Sequence, residues 1–545
     1  MSIYNYFFIL FSLIISAIKI SSSQILYSFP IDTVDITGNF GEIRNKHFHQ
    51  GIDFSTKGKE NYPIKSIDDG YVYRIKISPY GYGKALYIHH PSGLLSVYAH
   101  LNSFSDKIQS LVTKYQILNQ CNEFDIMLKA DSIKVQKNEI IAFSGNTGTS
   151  SGPHLHFEIR DELTEIPINP LFYFSVKDTT MPIVENILFY DLSDTTAPSP
   201  ILSTFSKIKD TLLLPPIFGV AFSGYDKSYP NGNPNNIYNV QIFLDNKKIY
   251  QHRLHYITFD NTMYVEYYSE KIKNKILQKC FTPQLYPPYF YDTLVNKGRI
   301  ILTDTNYHQL KLIFCDEKEN CIQKNFTIKT KHSPKYKNSP TKKLILCTTT
   351  NTIKNPNFEI TIPEKSLFGN LYATFVFDEK SKKIIWTHSR SFSLKYPAIL
   401  KIYHHLKNNE LKKTLLISNN KIYTPQQYNT KIITFNVNEL NDFYLFVDNL
   451  PPTIKPLNFN KNKKYITASY DTPVLFFQVK DNTKIKNIKT FFNNQFCVSY
   501  YYATKHLLKI ELPNELIATD ENFIQIIVTD IVGNTTHKTY KILLK

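Results

Sequence analysis

Strict alternation of apolar and polar side chains is the feature of this sequence that most limits its fold. In the stretch PHLHFEIR, residues 153–160, Leu155, Phe157 and Ile159 alternate with polar residues. A period of two is that of a β-strand with one buried face. Similar runs recur along the chain, among them NVQIFLD and KIITFNV, whereas long runs with the helical period are scarce. The sequence therefore predicts a mainly β protein.

Three turn-rich boundary segments divide the sequence into candidate domains. They lie at KDTTMPIVENI (177–187), KTKHSPKYKNSPTKK (329–343) and VDNLPPTIKP (447–456). A weak internal repeat supports this division, because the spacing Asp-x-x-x-Pro at 178–182 returns at 448–452. Later in each segment an Asp precedes an Asn by four residues between two alternating runs, which predicts a closing β-hairpin. These pairs are Asp316 with Asn320 and Asp530 with Asn534.

The N-terminus carries an apolar run, YFFILFSLIISAI, at residues 6–18. As a helix it would reach about 20 Å, which is short of the ~30 Å hydrocarbon core of a bilayer. Small residues follow it, so the run predicts a signal peptide that is cleaved near Ser23 and a chain that is exported. No Lys or Arg precedes the run, and a retained N-terminal membrane anchor is the alternative.

Charge and cysteine content exclude two classes of protein. The formal net charge is +17, but the lysines are scattered and form no nucleic-acid recognition motif, so no nucleic-acid partner is expected. The positive charge is instead interpreted as a general attraction to an acidic envelope polymer or a membrane surface. Six cysteines are too few for a disulfide-built scaffold, and none has C-x-x-C spacing. Cys315 and Cys321 could form a local disulfide, and the reduced state is equally compatible with the sequence.

The two histidines of PHLHFEIR, His154 and His156, would lie on the same polar face of the predicted strand. On a helix, residues two apart would diverge by about 200°. The spacing therefore favours a shared function only if the segment is extended.

A second candidate pair, His49 and Asp53, lies in HFHQGIDFS. Residues four apart share one face of a strand, and Gly51 between them favours an extended or bulged backbone. With one histidine of the H-x-H pair they would make a set of two histidines and one carboxylate. Three protein ligands leave one tetrahedral position open, which is typical of catalytic zinc. The other histidine of the pair would then be available for proton transfer, and His100 in VYAHL offers a further imidazole.

From about Gly38 to Pro170 the sequence resembles the lysostaphin/LytM-type zinc endopeptidases, which cleave peptides of bacterial cell-wall peptidoglycan. The resemblance rests on the stretches GNFGEIRNKHFHQGIDF, IKSIDDGYVYRI, GYGKALYIHHPSGLLSVYAHL, IAFSGNTGTSSGPHLHFEIRD and INPL. It implies a small antiparallel β catalytic domain of the duplicated hybrid motif type. The connection after VYAHL is longer than in shorter members of the family. The best helix candidate, SDKIQSLVTKYQIL at 105–118, lies in this connection and could form a wall or a lid of the cleft.

The resemblance also implies the roles of five residues. The metal ligands fall on His49, Asp53 and His156, and His100 and His154 match the two unliganded active-site histidines. One Zn²⁺ per catalytic domain and hydrolysis by metal-activated water are implied. Either of the two unliganded histidines could be the general base, while the other orients the water or stabilises the oxyanion.

Histidines outside this set are expected to have other roles. His47 is expected to be a neighbour of the ligands or to face the substrate. The pairs His89-His90 and His404-His405 are expected to be ordinary surface or satisfied core residues.

The resemblance to the lysostaphin/LytM-type endopeptidases and the three boundary segments together predict the domain organisation. A mainly β chain would consist of a signal peptide at 1–23, a LytM/lysostaphin-like peptidase domain at 24–178, a β-sandwich domain at 179–330, a β-rich domain at 331–447 and an Ig-like β-sandwich domain at 448–545. Two or three of the segments after the peptidase domain are thus expected to be Ig-like β-sandwiches. Removal of everything beyond about residue 190 is expected to leave a folded, zinc-loaded peptidase domain.

The predicted function is hydrolysis of peptide cross-links of peptidoglycan in the periplasm or cell envelope of a bacterium. Two alternatives remain open. One is a non-catalytic relative that binds the cell wall and activates other hydrolases. The other is a surface adhesion or assembly protein in which the C-terminal domains dominate.

Overall fold

A computed structural model describes residues 26–32, 34–44, 46–193, 202–204, 211–227, 232–272, 275–282, 290–330, 343–388, 390–419, 421–457, 459–460, 465–469, 473–518 and 521–544. The predicted signal peptide lies outside the described residues. The described chain is mainly β, as predicted. Among the helices it contains, none has the length and apolar character that a membrane span requires.

A nine-stranded antiparallel sheet forms the N-terminal part of the molecule. Its path runs through Ile36–Gly38, Ile52–Ser55, His154–Asp161, Leu94–Leu101, Lys84–His89, Gly70–Ile77 and Phe124–Met127, with Lys134–Val135 beside Gly70–Ile77 and Pro167–Ile168 beside His154–Asp161. A smaller sheet consists of Pro63–Lys65, Ile140–Phe143 and Ser103–Phe104, and a hairpin consists of Ile43–Arg44 and His47–Phe48. A 3₁₀ turn, Pro170–Phe172, follows.

The alternation in PHLHFEIR has the structural meaning that the sequence predicts. Leu155, Phe157 and Ile159 are fully buried in the core of this N-terminal part. The strand that carries them, His154–Asp161, presents His154 and His156 on the opposite face. It lies between Ile52–Ser55 and Leu94–Leu101, so three strands can contribute side chains to one site.

The predicted helix is present and spans Asp106–Asn119. Ser105 takes the N-cap position with extended backbone angles, but its side chain makes no capping hydrogen bond. The helix buries Ile108 and Val112 against the core. It therefore lies against the outside of the N-terminal sheets.

Residues 183–330 form two six-stranded sheets that share one hydrophobic core. The first contains Leu202–Thr204, Ile183–Asp191, Ile217–Tyr225, Lys275–Lys279, Ser269–Ile272 and Ile300–Ile301. The second contains Leu212–Leu214, Cys321–Thr330, His308–Cys315, Asn239–Leu244, Lys247–Arg253 and Tyr291–Leu294. The short helical segments are Phe259–Tyr264, Val265–Tyr268 and Val295–Gly298. Cys315 and Cys321 form a disulfide across the last turn.

Residues 344–447 form four small antiparallel sheets. The largest contains Asn351–Lys354, Phe358–Ile362, Phe392–Tyr403, Ile432–Leu440 and Gln427–Tyr428. The others pair Leu344–Ile345 with Leu371–Tyr372, Phe375–Asp378 with Lys383–Trp386, and Thr414–Ser418 with both Lys421–Tyr423 and Tyr444–Val447. One helical turn spans Asn408–Leu411.

Residues 453–544 form two further sheets around one core. One contains Thr453–Pro456, Val474–Lys480, Leu507–Glu511 and Ser499–Tyr502. The other contains Phe459–Asn460, Tyr465–Ala468, Thr535–Leu544, Asn522–Asp530, Ile485–Phe492 and Gln495–Phe496, and 3₁₀ turns lie at Ala503–Lys505 and Asn514–Leu516.

Both predicted closing hairpins are confirmed, because the strands that flank Asp316–Asn320 and Asp530–Asn534 pair with antiparallel register. The number of Ig-like domains and the domain boundaries stay predictions.

The N-terminal hairpin also packs against a later region of the chain. Phe40 and Phe48 belong to the core that residues 238–443 build. The Phe48 ring lies 5.5 Å from that of Tyr268 and 5.8 Å from that of Phe290, measured between ring centroids. The residue directly before His49 is thus held by a later region.

Candidate metal centre

His49, Asp53 and His156 meet on the polar face of the nine-stranded sheet. Strand register places His156 directly opposite Asp53, and His49 follows the strand His47–Phe48. Asp53 Oδ1 lies 2.9 Å from His156 Nδ1 and 3.1 Å from His49 Nε2, and the two imidazole nitrogens are 3.0 Å apart. All three residues are buried. Two nitrogens and one carboxylate oxygen therefore converge on one point and could hold a metal ion.

The ring nitrogens that face away from this point have fixed partners. His49 Nδ1 is 2.8 Å from the carbonyl oxygen of Asn39, and His156 Nε2 is 2.8 Å from Glu158 Oε1. In each ring the far nitrogen can donate its hydrogen to that oxygen, which leaves the inner nitrogen with a free lone pair. Such outer partners fix the tautomer and the orientation of histidines that bind metals.

The outer oxygen of Asp53 is held in the same way. Arg44 Nη2 donates to Asp53 Oδ2 at 2.6 Å, and Oδ1 faces the histidines. The carboxylate thus offers one oxygen inward while the other is neutralised by a guanidinium group. Nothing in the sequence pattern pointed to Arg44, in the short strand Ile43–Arg44, or to Asn39, directly after the strand Ile36–Gly38.

Glu158 is itself fixed by two further side chains. It is fully buried, accepts from Arg160 Nε at 2.7 Å and from the Tyr82 hydroxyl at 2.5 Å. Burial alone would raise the pKa of Glu158, but the charge of Arg160 and the hydrogen bonds from His156 and Tyr82 outweigh it and lower the pKa to about 2. Glu158 is therefore ionised throughout the physiological range. The period of two that aligns the histidines also places Glu158 on their face, so this signal could have identified it.

The side chains of this site shift one another's pKa values strongly. Burial would lower the pKa of His156, but the hydrogen bonds to Asp53 and Glu158 raise it to about 9. The Asp53 carboxyl has a pKa well below its usual value, because the charge of His49 and the hydrogen bonds from both histidines outweigh burial. The two carboxylates Asp53 and Glu158 thus favour a positive charge on His156.

His100 and His154 stand beside this group with their rings 4.8 Å apart, centroid to centroid. His100 Nδ1 lies 2.8 Å from the carbonyl oxygen of Thr147, and His154 Nδ1 lies 2.8 Å from that of Gly152. His154 Nε2 is 3.7 Å from Asp53 Oδ1. Both rings can therefore donate from Nδ1 to the backbone, which leaves Nε2 as a base.

The electrostatics agree with neutral rings at these two positions. Burial, followed by the charges of His156 and His154, lowers the pKa of His100 to about 3. Burial also lowers the pKa of His154. The backbone of His100 has φ = 58°, a left-handed conformation that non-glycine residues seldom adopt and that is often found at functional sites.

Other histidines are not part of the cluster. His47 is exposed, although it lies near enough to His49 and His156 for their charges to act on it. His90 is fully buried and its two nitrogens face the carbonyl oxygen of Asp69 and the Ser96 hydroxyl. His89 pairs with Glu162 at 2.6 Å. The last two agree with the structural roles that the sequence predicts.

Comparison with known proteins identifies a family for part of the region that carries this site. Residues 47–125 match the family described as "Peptidase family M23". The chain contains a peptidase family M23 domain. The match to the family includes His49, Asp53 and His100.

The curated relatives match about a fifth of this chain. The chain is 34% identical over 123 residues to a DD-carboxypeptidase/endopeptidase, Mpg, of Neisseria meningitidis, a match that covers 23% of this chain and 22% of that protein. It is 36% identical over 111 residues to the peptidoglycan DD-endopeptidase ShyB of Vibrio cholerae, with 20% of each chain covered. The chain thus spans about a fifth of the length of these relatives.

Solved structures match a similar share of this chain, about a quarter of its length. The catalytic domain of lysostaphin from Staphylococcus simulans is 22% identical and has a TM-score of 0.19, with 25% of this chain and 90% of that chain covered. A zinc-containing peptidase from Vibrio cholerae is 28% identical and has a TM-score of 0.20, with 27% of this chain and 39% of that chain covered.

The donor set of the M23 domain fits a transition metal better than a hard cation. Two imidazole nitrogens with one carboxylate are ligands that suit zinc, whereas calcium and magnesium take oxygen ligands. Three protein ligands also leave room for a water molecule or a substrate oxygen.

Proposed function

We propose that this protein is a zinc-dependent metalloendopeptidase that hydrolyses peptide cross-links of bacterial peptidoglycan. The observation that carries the proposal is the convergence of His49 Nε2, His156 Nδ1 and Asp53 Oδ1 within 3.1 Å of one another in a buried site. The matches to peptidase family M23 and to endopeptidases named for peptidoglycan support the reaction and the substrate class.

The proposed roles of the residues follow from their hydrogen bonds. His49, Asp53 and His156 would hold Zn²⁺, which supplies Lewis-acid polarisation and a lowered pKa of a bound water. His154 and His100 each keep Nδ1–H on a backbone carbonyl and present a basic Nε2 to the substrate side. His154, whose Nε2 is near Asp53, would accept the proton of the attacking water. His100 would orient that water or donate to the developing oxyanion.

Localisation and organisation belong to the same proposal. Because the substrate lies outside the cytoplasm, we infer that residues 1–23 direct export to the periplasm or cell envelope. We infer that residues 24–178 are the peptidase domain and that the segments 179–330, 331–447 and 448–545 present it to the wall. The positive net charge of +17 would favour contact with acidic envelope polymers.

The first experiment measures metal content and hydrolysis together. Purified mature protein should contain about one zinc ion and release fragments from defined cross-linked muropeptides, as identified by mass spectrometry. His156→Ala should lose both zinc and hydrolysis. His537→Ala, which changes an exposed histidine in the last strand, should keep both. Full hydrolytic activity in His156→Ala would refute the ligand assignment.

A second pair of variants separates catalysis from metal binding. His154→Ala and His100→Ala should keep their zinc and lose hydrolysis by about 10²–10⁴-fold, the range for removal of a general acid or base. Wild-type protein that binds wall material and holds zinc but never cleaves it would instead support the non-catalytic, wall-binding alternative.

A further inference from the structure

A second group of side chains with metal-ligand geometry lies outside the M23 site. Asp178, Asp226 and Asp316 each offer a carboxylate oxygen, and these oxygens lie within 4.8 Å of one another. The three residues come from distant parts of the chain. Asp178 precedes the strand Ile183–Asp191, Asp226 follows Ile217–Tyr225, and Asp316 begins the turn closed by the disulfide.

Two of these carboxylates are deeply buried. Asp226 is 3% exposed and Asp316 is 1% exposed. Asp226 Oδ1 has no hydrogen-bond partner among the described residues. A buried carboxylate oxygen without a donor is costly, and buried charges are normally paired or bound to a metal. Asp226 thus has an unmet requirement for a positive charge.

Asn235, the residue that pairs with Asp226, has a side-chain amide oxygen without a hydrogen-bond partner among the described residues. Asn235 pairs with Asp226 through two backbone hydrogen bonds of 2.9 and 2.7 Å. Residues directly opposite in an antiparallel pair project their side chains to the same side, so the Asn235 side chain leaves the backbone beside Asp226. Asn235 is 4% exposed, and its Oδ1 also lacks a partner in the described part of the chain. Carboxylate and amide oxygens are the ligands that Ca²⁺ prefers.

Burial is the main influence on the pKa values of these acidic groups, and repulsion between them adds to it. Burial raises the pKa of Asp226 to about 8, together with the charges of Glu317, Asp316 and Asp178. Burial also raises the pKa of Glu317 to about 7, and Asp316 and Asp178 contribute to the shift. Four acidic groups therefore share one small region, and a divalent cation would neutralise them.

Hydrogen bonds and a disulfide hold the turn that carries Asp316 in place. Asp316 Oδ1 accepts from the backbone N–H groups of Lys318 and Asn320, both at 2.8 Å. Asn320 Nδ2 donates to Asp316 Oδ2 at 2.7 Å and to the Asp178 carbonyl oxygen at 3.2 Å. The Cys315–Cys321 disulfide closes the same turn. The ligand oxygens thus need little reorganisation on binding.

We propose that Asp178, Asp226 and Asp316 bind a Ca²⁺ ion that fastens the M23 domain to the region that follows it. The oxygen-only donor set selects a hard cation over zinc. Asn169 Nδ2 donates to Glu317 Oε1 at 3.0 Å, so the turn with Asp316 already contacts the end of the M23 region. A cation at Asp178 would rigidify this junction. The site and its proposed ion are independent of the peptidase activity.

The chain contains a related group near its C-terminus. It consists of Asp448, Asp481 and Asp530. Asn534 repeats the bridging role of Asn320, since its Nδ2 donates to Asp530 Oδ2 and to the Asp448 carbonyl oxygen. There the Asp448 carboxylate already accepts from Asn482 and Thr483. The proposal is confined to the first group, where two deeply buried oxygens lack donors.

Calcium binding by the full, zinc-loaded chain tests the proposal. Equilibrium dialysis against radioactive Ca²⁺, in buffer freed of calcium by a chelating resin, should show binding by the wild type. Asp226→Asn should bind about one Ca²⁺ fewer per chain, whereas Glu185→Gln should bind as the wild type does. Glu185 is a carboxylate of the same region that pairs with Lys275. Zinc content should be equal in all three proteins.

A local readout distinguishes a bound ion from a general effect. Lys177 is exposed and adjoins Asp178, so Ca²⁺ should slow tryptic cleavage after Lys177 in the wild type and not in Asp226→Asn. Without calcium, Asp226→Asn should melt at the same temperature as the wild type or higher, since one repelling charge is removed. Asp178→Asn provides a second variant with the same expected loss. Absence of calcium binding at millimolar concentration, or unchanged binding in both variants, overturns the proposal.

Discussion

At the scale of single residues, Glu158 is the group on which the orientation of His156 depends. We expect Glu158→Gln to weaken zinc binding by roughly 10–100-fold, the usual effect of removing an outer carboxylate partner. The amide keeps the shape of the side chain but not the charge that pairs with Arg160. Competition with a chromophoric chelator measures the zinc affinity. Glu162→Gln, at the His89 ion pair, is the control, and equal affinities in the two variants would contradict this role.

The protonation of His156 predicts how zinc affinity depends on pH. With a pKa of about 9 in the metal-free site, His156 is protonated at pH 7, and zinc must displace that proton. The apparent affinity should therefore rise with pH by about tenfold per unit below pH 9 and level off above it. Titrations of metal-free protein between pH 6 and 9.5 measure this slope. An affinity that is constant between pH 6 and 8 would show that His156 is neutral before zinc binds.

The sequence predicts part of the site for a clear physical reason. Period-two alternation places His154 and His156 on one strand face, and this holds in the structure because that strand is buried on its other face. The pattern did not predict the partners of the ligands that come from the short N-terminal strands and the connection between them, namely Arg44 and Asn39. His47, which the sequence expects beside the ligands or facing the substrate, is exposed and lies near enough to His49 and His156 for their charges to act on it.

At the scale of elements, the approach of two strands around Gly51 sets the distance between the ligands. A Cβ atom at Gly51 would lie 2.4 Å from the Phe157 carbonyl oxygen and 3.0 Å from His156 Cε1. Gly51→Ala should therefore push His49 and His156 apart and lower zinc affinity at least tenfold. Gly152→Ala, where a Cβ would meet nothing within 4 Å, should keep the zinc affinity of the wild type. Equal zinc affinity in the two variants would show that the backbone can absorb the extra atom.

The elements themselves were easier to predict than their arrangement. The helix and both closing hairpins follow from local pattern and turn residues. The order of strands in the nine-stranded sheet depends on pairings between distant segments, such as Ile52–Ser55 with His154–Asp161. Local periodicity does not specify those pairings.

At the scale of the whole molecule, the metal site depends on regions far beyond the M23 domain. Asn39 Nδ2 donates to the Asn236 carbonyl oxygen at 3.0 Å, and the Asn236 N–H donates back to Asn39 Oδ1 at 3.0 Å. The Asn39 carbonyl oxygen in turn faces His49 Nδ1. Hydrogen bonds through Asn39 thus connect the proposed metal ligand His49 with Asn236, which lies in the region after the M23 domain.

These contacts change the expectation for a truncated protein. The sequence predicts that removal of everything beyond about residue 190 leaves a folded, zinc-loaded domain. Because Phe40 and Phe48 are buried among residues 238–443, truncation would expose both rings, at roughly 1.5–3 kcal/mol each. It would also remove Asn236. We therefore expect a protein of residues 24–190 to aggregate or to bind zinc at least tenfold more weakly.

Two comparisons decide whether the loss comes from this interface. A chain that ends at residue 447 keeps the core around Phe48 and should keep its zinc affinity. In the full chain, Phe48→Ala should weaken zinc binding, whereas Phe492→Ala, an equally buried ring in the last core, should lower stability without that effect. Zinc affinity and melting temperature measured on the same samples separate the two outcomes. If residues 24–190 are soluble and bind zinc as the full chain does, the later regions serve the M23 domain without shaping its site.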